Sequence, residues 1–560
     1  MRLDWFWIGD YKNLKDVTVD FDQDHWVTVV IGWNGTGKSN VLEALATLFR
    51  DLVMGENLDG DKNHPTFPYK LCYECQGQWV YIDADPKREK EVYAIRVLSK
   101  TDRGDMIVKQ DELVFPRGKK LDPSKIGETV SITQFLKQQD LYLPRYVFGY
   151  YSGTSNRLQE VFRKYLARYD KDLRGGKDPG MRRLFYALPV HSQFVLLAFI
   201  LQQDHEAVKQ LLDTQLGLEE NGGIDSILFV LKQPSWDKTK DQELFWGAEG
   251  IVRNFLDRLH KIALAPLRLS RRVETTLWNK KKRGFRYLYV KDLSSLRELV
   301  GEQSPSQFFR DLESTYVSEM IEEVRIRVKL RKNDDSVTFR ELSEGEQQLL
   351  TVLGLLRFTA EDESLFLLDE PDTHLNPKWC VDYLQHLRDF VGDSEKERST
   401  SHIVMTTHNP LAVAELVKGQ VQILKRDPDT FKIMAGPPEM DPRGMGYSGI
   451  VTSDMFGLAA ALDNHTRELL EEKRTLAGKE GPLTTQERDR LEQINLEMEG
   501  YGFRYEMRDP VFAEYLRARY AAEQQAPEGQ RMIELTPAER KEKAKRLVEK
   551  ALQHAGEAEN

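Results

Sequence analysis

An α/β chain with a parallel-sheet core, interrupted by a helical insertion and followed by a helical extension, is the fold class the sequence predicts. Three observations predict it. First, Trp26-Val27-Thr28-Val29-Val30-Ile31 is a β-branched run of strand type, and Val41, Leu42, Leu45, Leu48 and Phe49 behind it recur at helical spacing. Second, Ser364-Leu365-Phe366-Leu367-Leu368 and His402-Ile403-Val404-Met405-Thr406-Thr407 have the near-continuous character of strands covered on both faces. Third, the region between these groups, residues 155–320, reads as mainly helical. It holds no sustained heptads, which excludes long coiled-coil arms.

Size and composition narrow the function classes. A chain of 560 residues is too long for one hydrophobic core, so two to four structural units are expected. The longest apolar run, Phe194–Leu201, is far short of the roughly 18 residues of a membrane span. Asp4 and Asp10 stand where a secretory leader would be apolar, so a cytoplasmic protein without membrane partners is expected. The net charge is −10, so the surface as a whole does not attract polyanions, and nucleic acid must be met by a local patch or another subunit. Three cysteines make no disulfide framework. Cys72 and Cys75 lie in an alternating run, Tyr69 to Cys75, and their odd separation puts them on opposite faces of a strand. They are expected to be ordinary strand residues.

The N-terminal strand runs directly into Gly32-Trp33-Asn34-Gly35-Thr36-Gly37-Lys38-Ser39, and a helix opens at Asn40. Glycines 32, 35 and 37 let the backbone of Asn34 and Thr36 wrap a phosphate closely, with the amides of the helix start pointing at it. Lys38 is expected to neutralise β- and γ-phosphate charge, and the Ser39 hydroxyl to hold Mg²⁺. Much later, the apolar strand Ser364–Leu368 ends in Asp369-Glu370-Pro371. A carboxylate at that strand end suits the Mg²⁺ shell, which assigns Asp369. Glu370 can then polarise the water that attacks the γ-phosphate.

Leu342-Ser343-Glu344-Gly345-Glu346-Gln347-Gln348 precedes the helical run Leu349–Phe358, and the strand at 402–407 delivers His408-Asn409-Pro410. Phosphate loop, Leu-Ser-x-Gly-Glu, strand with Asp-Glu and strand with His, in that order, resemble the ABC-type ATPase set. The resemblance implies ATP and Mg²⁺ as cofactors and a head-to-tail dimer. In it Ser343, Gly345 and Glu346 of one protomer close over the nucleotide of the other, and His408 meets the γ-phosphate. Asp372-Thr373-His374-Leu375 falls at the segment that crosses the dimer interface. Glu344 replaces the usual second glycine and Glu346 the usual glutamine, a pattern that resembles the RecF/OLD-like branch and not transporters. The family's Mg²⁺-contacting glutamine has four candidates, Gln76, Gln78, Gln138 and Gln139.

Four segments are expected: an ATPase lobe with the phosphate loop and a β-subdomain (1–154), a mainly helical insertion (155–320), a second ATPase lobe (321–436) and a C-terminal helical region for partners or oligomerisation (437–560). Residues 268–286 carry Arg268, Arg271, Arg272, Lys280, Lys281, Lys282, Arg283 and Arg286 against one acid, Glu274, with Trp278, Phe285 and Tyr287 interleaved. Arg271, Arg272, Lys280, Lys281, Lys282 and Arg283 form a candidate nucleic-acid patch, with a solvated hairpin as the plainer reading. Arg325, Arg327, Lys329 and Arg331 share one face of a strand. In the C-terminal region, helices are expected near 464–477 and 485–499, with capping boxes at Thr484/Glu487 and Thr536/Glu539. Asp427-Pro428-Asp429 resembles the Asp-x-Asp of a Toprim nuclease but sits where it is ordinary turn chemistry.

Ser-Glu-Gly-Glu, Phe148-Gly149-Tyr150-Tyr151-Ser152-Gly153 and the stretch Ile450–Gly457 resemble the PtuA-type ATPases of Septu and retron-associated antiphage systems. That resemblance implies an oligomer of ATPase dimers carrying a separate HNH nuclease of PtuB type, with ATP gating the cutting of nucleic acid, DNA or tRNA. A retron reverse transcriptase and its DNA–RNA product are further implied partners. Two rivals share the motifs: a RecF-like repair ATPase that binds DNA directly, and a PARIS-type ATPase paired with a Toprim toxin. A transporter ATPase needs neither the insertion nor the tail.

Overall fold

The computed structural model describes residues 1–99, 107–109, 112–114, 120–121, 123–219, 223–237, 239, 243–274, 280–331, 336–359, 363–391, 400–458, 460–479, 483–501 and 542–548. Two units separate by backbone contact, Met1–Gly457 and Leu458–Asn560. No helix among the described residues is long and apolar enough to cross a membrane.

The first unit opens with a hairpin, β1 (Arg2–Tyr11) and β2 (Leu14–Asp20), and then sends β3 (Val27–Gly32) into a different sheet. Helix Lys38–Met54 follows, and the chain returns through β4 (Tyr69–Cys75), β5 (Gln78–Ala84) and β6 (Tyr93–Ser99). Three short strands, β7 (Ile107–Lys109), β8 (Glu112–Val114) and β9 (Lys120–Leu121), pair among themselves. With β10 (Glu128–Val130) the main layer is complete, in the order β10-β6-β5-β4-β1-β2, with every pairing antiparallel. Gln76 and Gly77, both at positive φ, make the two-residue turn between β4 and β5. Cys72 packs with Trp5, Trp79 and Tyr81, and Cys75 lies in the large core on the other face, as alternation along a strand requires. Burial pushes the Cys75 thiol up to about 11.

The second layer is a largely parallel sheet. Its strands are β11 (Tyr146–Tyr151), β12 (Leu184–Tyr186), β18 (Ser364–Asp369), β19 (Ser401–Thr406), β20 (Val421–Arg426) and β21 (Ile433–Gly436), joined by β3. The order is β12-β11-β18-β19-β3-β20-β21, and only the β20–β21 pair is antiparallel. Every residue of β18 and β19 is buried, as their apolar runs require. Helix His191–Ile200 is buried along its whole length. It lies so close to helix Glu344–Thr359 that a Cβ on Gly354 would fall 2.2 Å from Val195 Cγ1. Glycine there sets the approach of the two backbones.

A third sheet runs through the insertion beside its helices. Helices Arg157–Arg174, Gly250–Ile262 and Pro305–Val317 are present. So are β13 (Ile224–Lys232), β14 (Leu264–Glu274) and β15 (Lys280–Val290), which join β16 (Ile321–Lys329) and β17 (Ser336–Thr338) in the order β14-β15-β13-β16-β17. The period-2 pattern of Leu267 and Leu269 against Arg268 and Ser270 is a strand pattern that the density of basic residues hides. Along β16 the burial alternates, with Arg325, Arg327 and Lys329 outward.

The expected boundary at 437 also shifts. Ile450 and Met455 are buried in the core of the first unit, so the division by contact falls after Gly457. In the second unit, helices Asn464–Ala477 and Thr485–Gly500 pack through Leu469, Ile494 and Met498. The Thr484/Glu487 capping box forms, with the Glu487 carboxylate accepting from Thr484 N at 2.9 Å and Thr484 Oγ1 accepting from Glu487 N at 3.3 Å. Such a box contributes about 1 kcal/mol. The Thr536/Glu539 box lies outside the described residues.

Candidate functional site

The site is built at the carboxyl ends of adjacent parallel strands, where β3, β19 and β18 release their loops side by side. After β3 the chain turns on Gly32, Gly35 and Gly37, all at positive φ. A Cβ on Gly32 would meet Leu424 O at 2.4 Å, and one on Gly37 would meet Leu14 Cδ2 at 2.7 Å, so only glycine fits this cradle. Thr36 closes the turn through Oγ1 and N, which donate to Trp33 O at 2.8 and 3.2 Å. Gly37 is the N-cap of helix Lys38–Met54 and supplies no side-chain cap. The first amides of the helix therefore point into the loop, the arrangement that suits a phosphate. Lys38 Nζ donates to Gly32 O at 3.0 Å. Burial lowers its pKa, and Glu370 and Asp369 oppose that shift.

Ser39 Oγ donates to Asp369 Oδ1 at 3.1 Å, and Thr406 Oγ1 donates to the same oxygen at 2.5 Å. The serine hydroxyl of the loop and the carboxylate of β18 are thereby held together by a side chain on the strand between them. Both are hard oxygen donors, the type that Mg²⁺ takes together with substrate phosphates. Burial raises the Asp369 pKa. Glu370 takes a positive φ of 53°, a strained backbone for a residue with a side chain, and Thr406 fixes it by accepting from Glu370 N through Oγ1 at 3.0 Å. His408 Nε2 lies 2.9 Å from Glu370 Oε1, and that hydrogen bond leads in holding the Glu370 carboxyl below its usual range. A carboxylate kept ionised beside the phosphate loop can accept a proton from water.

Residues that motif reading missed complete this end of the sheet. Thr407 Oγ1 donates to Asp372 Oδ2 at 2.7 Å, and burial pushes the Asp372 carboxyl up to about 6. Tyr151, Ser155 and Arg157 line one small cleft with Ser39 and Asp369. Arg157 donates to Asn40 Oδ1 at 3.3 Å, and Asn40 donates to Asn13 Oδ1 at 2.6 Å. The available signal was weak: two threonines ending a buried strand, and polar residues following Phe148-Gly149.

Ser343, Glu344, Gly345 and Glu346 lie at the start of helix Glu344–Thr359. Ser343 and Glu346 cap it reciprocally: Glu346 Oε2 accepts from Ser343 N at 2.6 Å, and Ser343 Oγ accepts from Glu346 N at 3.3 Å. Ser343 and Glu344 are exposed. A Cβ on Gly345 would fall 2.5 Å from His374 O, which locks the signature turn against the Asp372–Leu375 segment of the same chain.

None of the four candidate glutamines reaches the cluster. Gln76 and Gln78 belong to the β4–β5 hairpin, Gln138 caps the short helix Ile132–Lys137, and Gln139 Nε2 donates to Val53 O at 3.2 Å, at the far end of the phosphate-loop helix. On the side away from β19, β18 pairs with β11, which ends at Tyr151 opposite Asp369. Arg271, Arg272, Lys281, Lys282 and Arg283 are brought together elsewhere, on the β14–β15 hairpin, along with the backbone of Lys280. Asp427 spends Oδ1 on its own turn, accepting from Asp429 N at 3.0 Å and Thr430 N at 2.7 Å.

Parts of the chain are similar to known proteins. A family model described as "AAA ATPase domain" matches residues 1–112, and one described as "AAA domain, putative AbiEii toxin, Type IV TA system" matches 239–414. The chain is 25% identical over 127 residues to the Septu protein PtuA of Bacillus mycoides, covering 21% of this chain and 16% of that protein. It is 23% identical over 163 residues to "Retron Vc95 probable ATPase" of Vibrio cholerae, covering 27% of this chain and 29% of that protein. The matched segments are thus less than a third of either relative. Among solved structures, an Smc head bound to the C-terminal winged-helix domain of ScpA covers 78% of this chain and 98% of its own at 11% identity and TM-score 0.28. The recombination mediator RecF with ATP covers 78% and 97% at 14% identity and TM-score 0.26. The sheet order and the phosphate loop, not these scores, show a largely parallel α/β fold with a P-loop between strand and helix.

Proposed function

We propose that this chain, an OLD-like ATPase of the PtuA and retron type, is the ATP-binding regulatory subunit of an antiphage defence complex. Its nucleotide state gates an associated HNH nuclease of PtuB type that cuts nucleic acid. One observation carries the ATPase reading: Lys38, Ser39, Asp369, Glu370 and His408, far apart in sequence, converge at the ends of three neighbouring strands. The names of the relatives support the defence role.

Each residue has a distinct part. Gly32, Asn34, Gly35, Thr36, Gly37 and Asn40 form or flank the cradle, and Lys38 meets the outer phosphates. Ser39 and Asp369 would hold Mg²⁺, which supplies charge neutralisation between the β- and γ-phosphates. Glu370 takes the proton of the attacking water, and His408 orients that carboxylate and faces the γ-phosphate. Ser343, Gly345 and Glu346 act on the nucleotide of a second protomer, a reading that the exposure of Ser343 and Glu344 supports.

The test is affinity purification of tagged Glu370→Gln protein from its native host with ATP, followed by identification and native mass of the eluate. An HNH nuclease at fixed stoichiometry is expected, with a reverse transcriptase and its DNA–RNA product where the system is of retron type. A Toprim protein in its place would move the chain to the PARIS type. A lone dimer carrying only DNA would overturn the defence reading in favour of a RecF-like ATPase that uses Arg271, Arg272, Lys281, Lys282 and Arg283.

A further inference from the structure

Strand β14 is one of the two edges of the five-stranded sheet among the described residues. Leu264, Leu267 and Leu269 are 50%, 57% and 53% exposed, and every residue from Leu264 to Arg272 is exposed. Edge strands of this length are normally shielded by bulges, proline or charge. Here the irregular pairing between Leu264 and Leu267, with Pro266 inside it, interrupts the base, and Arg268, Arg271 and Arg272 put charge along the rest. From Leu267 to Glu274 the pairing with β15 is regular, so the outer backbone edge is set out at even spacing.

Register divides the side chains of this edge. Leu267, Leu269 and Arg271 share a face with Tyr287, Phe285 and Arg283, their directly opposed partners. Arg271 is laid over the Phe285 ring at 3.9 Å, which leaves the two leucines as the prominent apolar groups of that face. Arg268, Ser270 and Arg272 share the other face with Arg286, Gly284 and Lys282. The exposed leucines of the edge therefore stand on one side, beside Arg271, and Arg268 and Arg272 on the other.

We propose that β14 is a docking edge for a partner protein, which adds an extended segment of alternating acidic and apolar side chains as a further antiparallel strand. Main-chain hydrogen bonds would supply binding. Leu267 and Leu269 would select the apolar positions, and Arg268 and Arg272 the acidic ones. Charge complementarity chooses this occupant. Leu264 to Val290 holds eight basic residues and one acid in a chain whose net charge is −10. A second copy pairing edge to edge about Ser270 would set Arg268 against Arg272, a repulsive register. A nucleic-acid strand would use the cations but gain little from half-exposed leucines, since such sites stack bases on aromatic rings. The inference rests on the reading of the chain as a subunit of a complex and names the surface through which it is joined.

The experiment places photoreactive p-benzoylphenylalanine at Leu269 in protein expressed from its own locus in the native host. After irradiation, the adduct is isolated and the crosslinked peptide sequenced. The expected adduct is a segment of another protein in which acidic and apolar residues alternate. In an Arg268→Glu/Arg272→Glu background its yield should fall at least tenfold. An adduct on nucleic acid, on a second copy of this chain or on a segment without that alternation would overturn the proposal, as would no adduct above the unirradiated control. If a nuclease still co-purifies with Glu370→Gln protein while Leu269 gives no adduct, the edge fails and the defence reading stands. If nothing co-purifies, both fail.

Discussion

Around the phosphate loop polar side chains hold one another, whereas along β14 they project into solvent. Asp369 is held by Ser39 and Thr406, Glu370 by Thr406 and His408, and Asp372 by Thr407. On β14 the leucines are half exposed. The contrast separates two kinds of site. The first is preorganised for a ligand of fixed shape, so each side chain has one tolerated position. The second offers backbone at even spacing and selects by alternation, so it tolerates change until a partner arrives.

The largest expected effects are at the phosphate loop and at Glu370 beside it. Lys38→Ala should weaken ATP binding by on the order of 100-fold, the loss of charge-assisted contacts to the outer phosphates, measured with a fluorescent ATP analogue. Glu370→Gln should keep ATP affinity and slow single-turnover hydrolysis by roughly 10²–10⁴-fold, the usual contribution of a general base. Gly345→Ala should destabilise the fold by about 1–3 kcal/mol in urea melts, because backbone and not a flexible side chain blocks the added Cβ.

Asp372 gives a pH signature. Its folded pKa of about 6 lies above the usual carboxylate value, so the unfolded chain loses this proton first as pH rises. Stability from this group is thus lost between about pH 4 and pH 6 and stays lost above. Asp372→Asn, which can still accept from Thr407, should raise Tm at pH 8 and change it little near pH 4. The smallest effect belongs to the edge: Leu267→Asp with Leu269→Asp should leave unfolding free energy within about 0.5 kcal/mol of wild type, since neither side chain is in the core. A large loss there would collapse the contrast between the two regions.

The same contrast explains what the sequence disclosed. Gly32 to Ser39, Asp369-Glu370 and His408 stood out in the sequence because phosphate chemistry asks for particular residues at particular spacings on strand ends, and the structure brings Ser39 to Asp369 and His408 to Glu370. Thr406 and Thr407 did not, since their roles exist only once β19 lies between β3 and β18. The Mg²⁺-contacting glutamine stayed open among Gln76, Gln78, Gln138 and Gln139, because no local pattern sets one of them apart. The β14–β15 hairpin was read as a basic patch within a helical region. Its alternation was visible, but which strand ends a sheet is decided by pairing over long sequence distances.

The central claim is that one nucleotide is shared between the loop of one protomer and the signature of another. Mixing Ser343→Arg with Lys38→Ala protomers tests it most directly, with single-turnover hydrolysis as the readout. Each variant alone should be inactive, the first with ATP bound and the second without. The mixture should recover activity, because one intact loop then meets one intact signature. No recovery on mixing, or tight ATP retention by Lys38→Ala protein alone, would contradict the account.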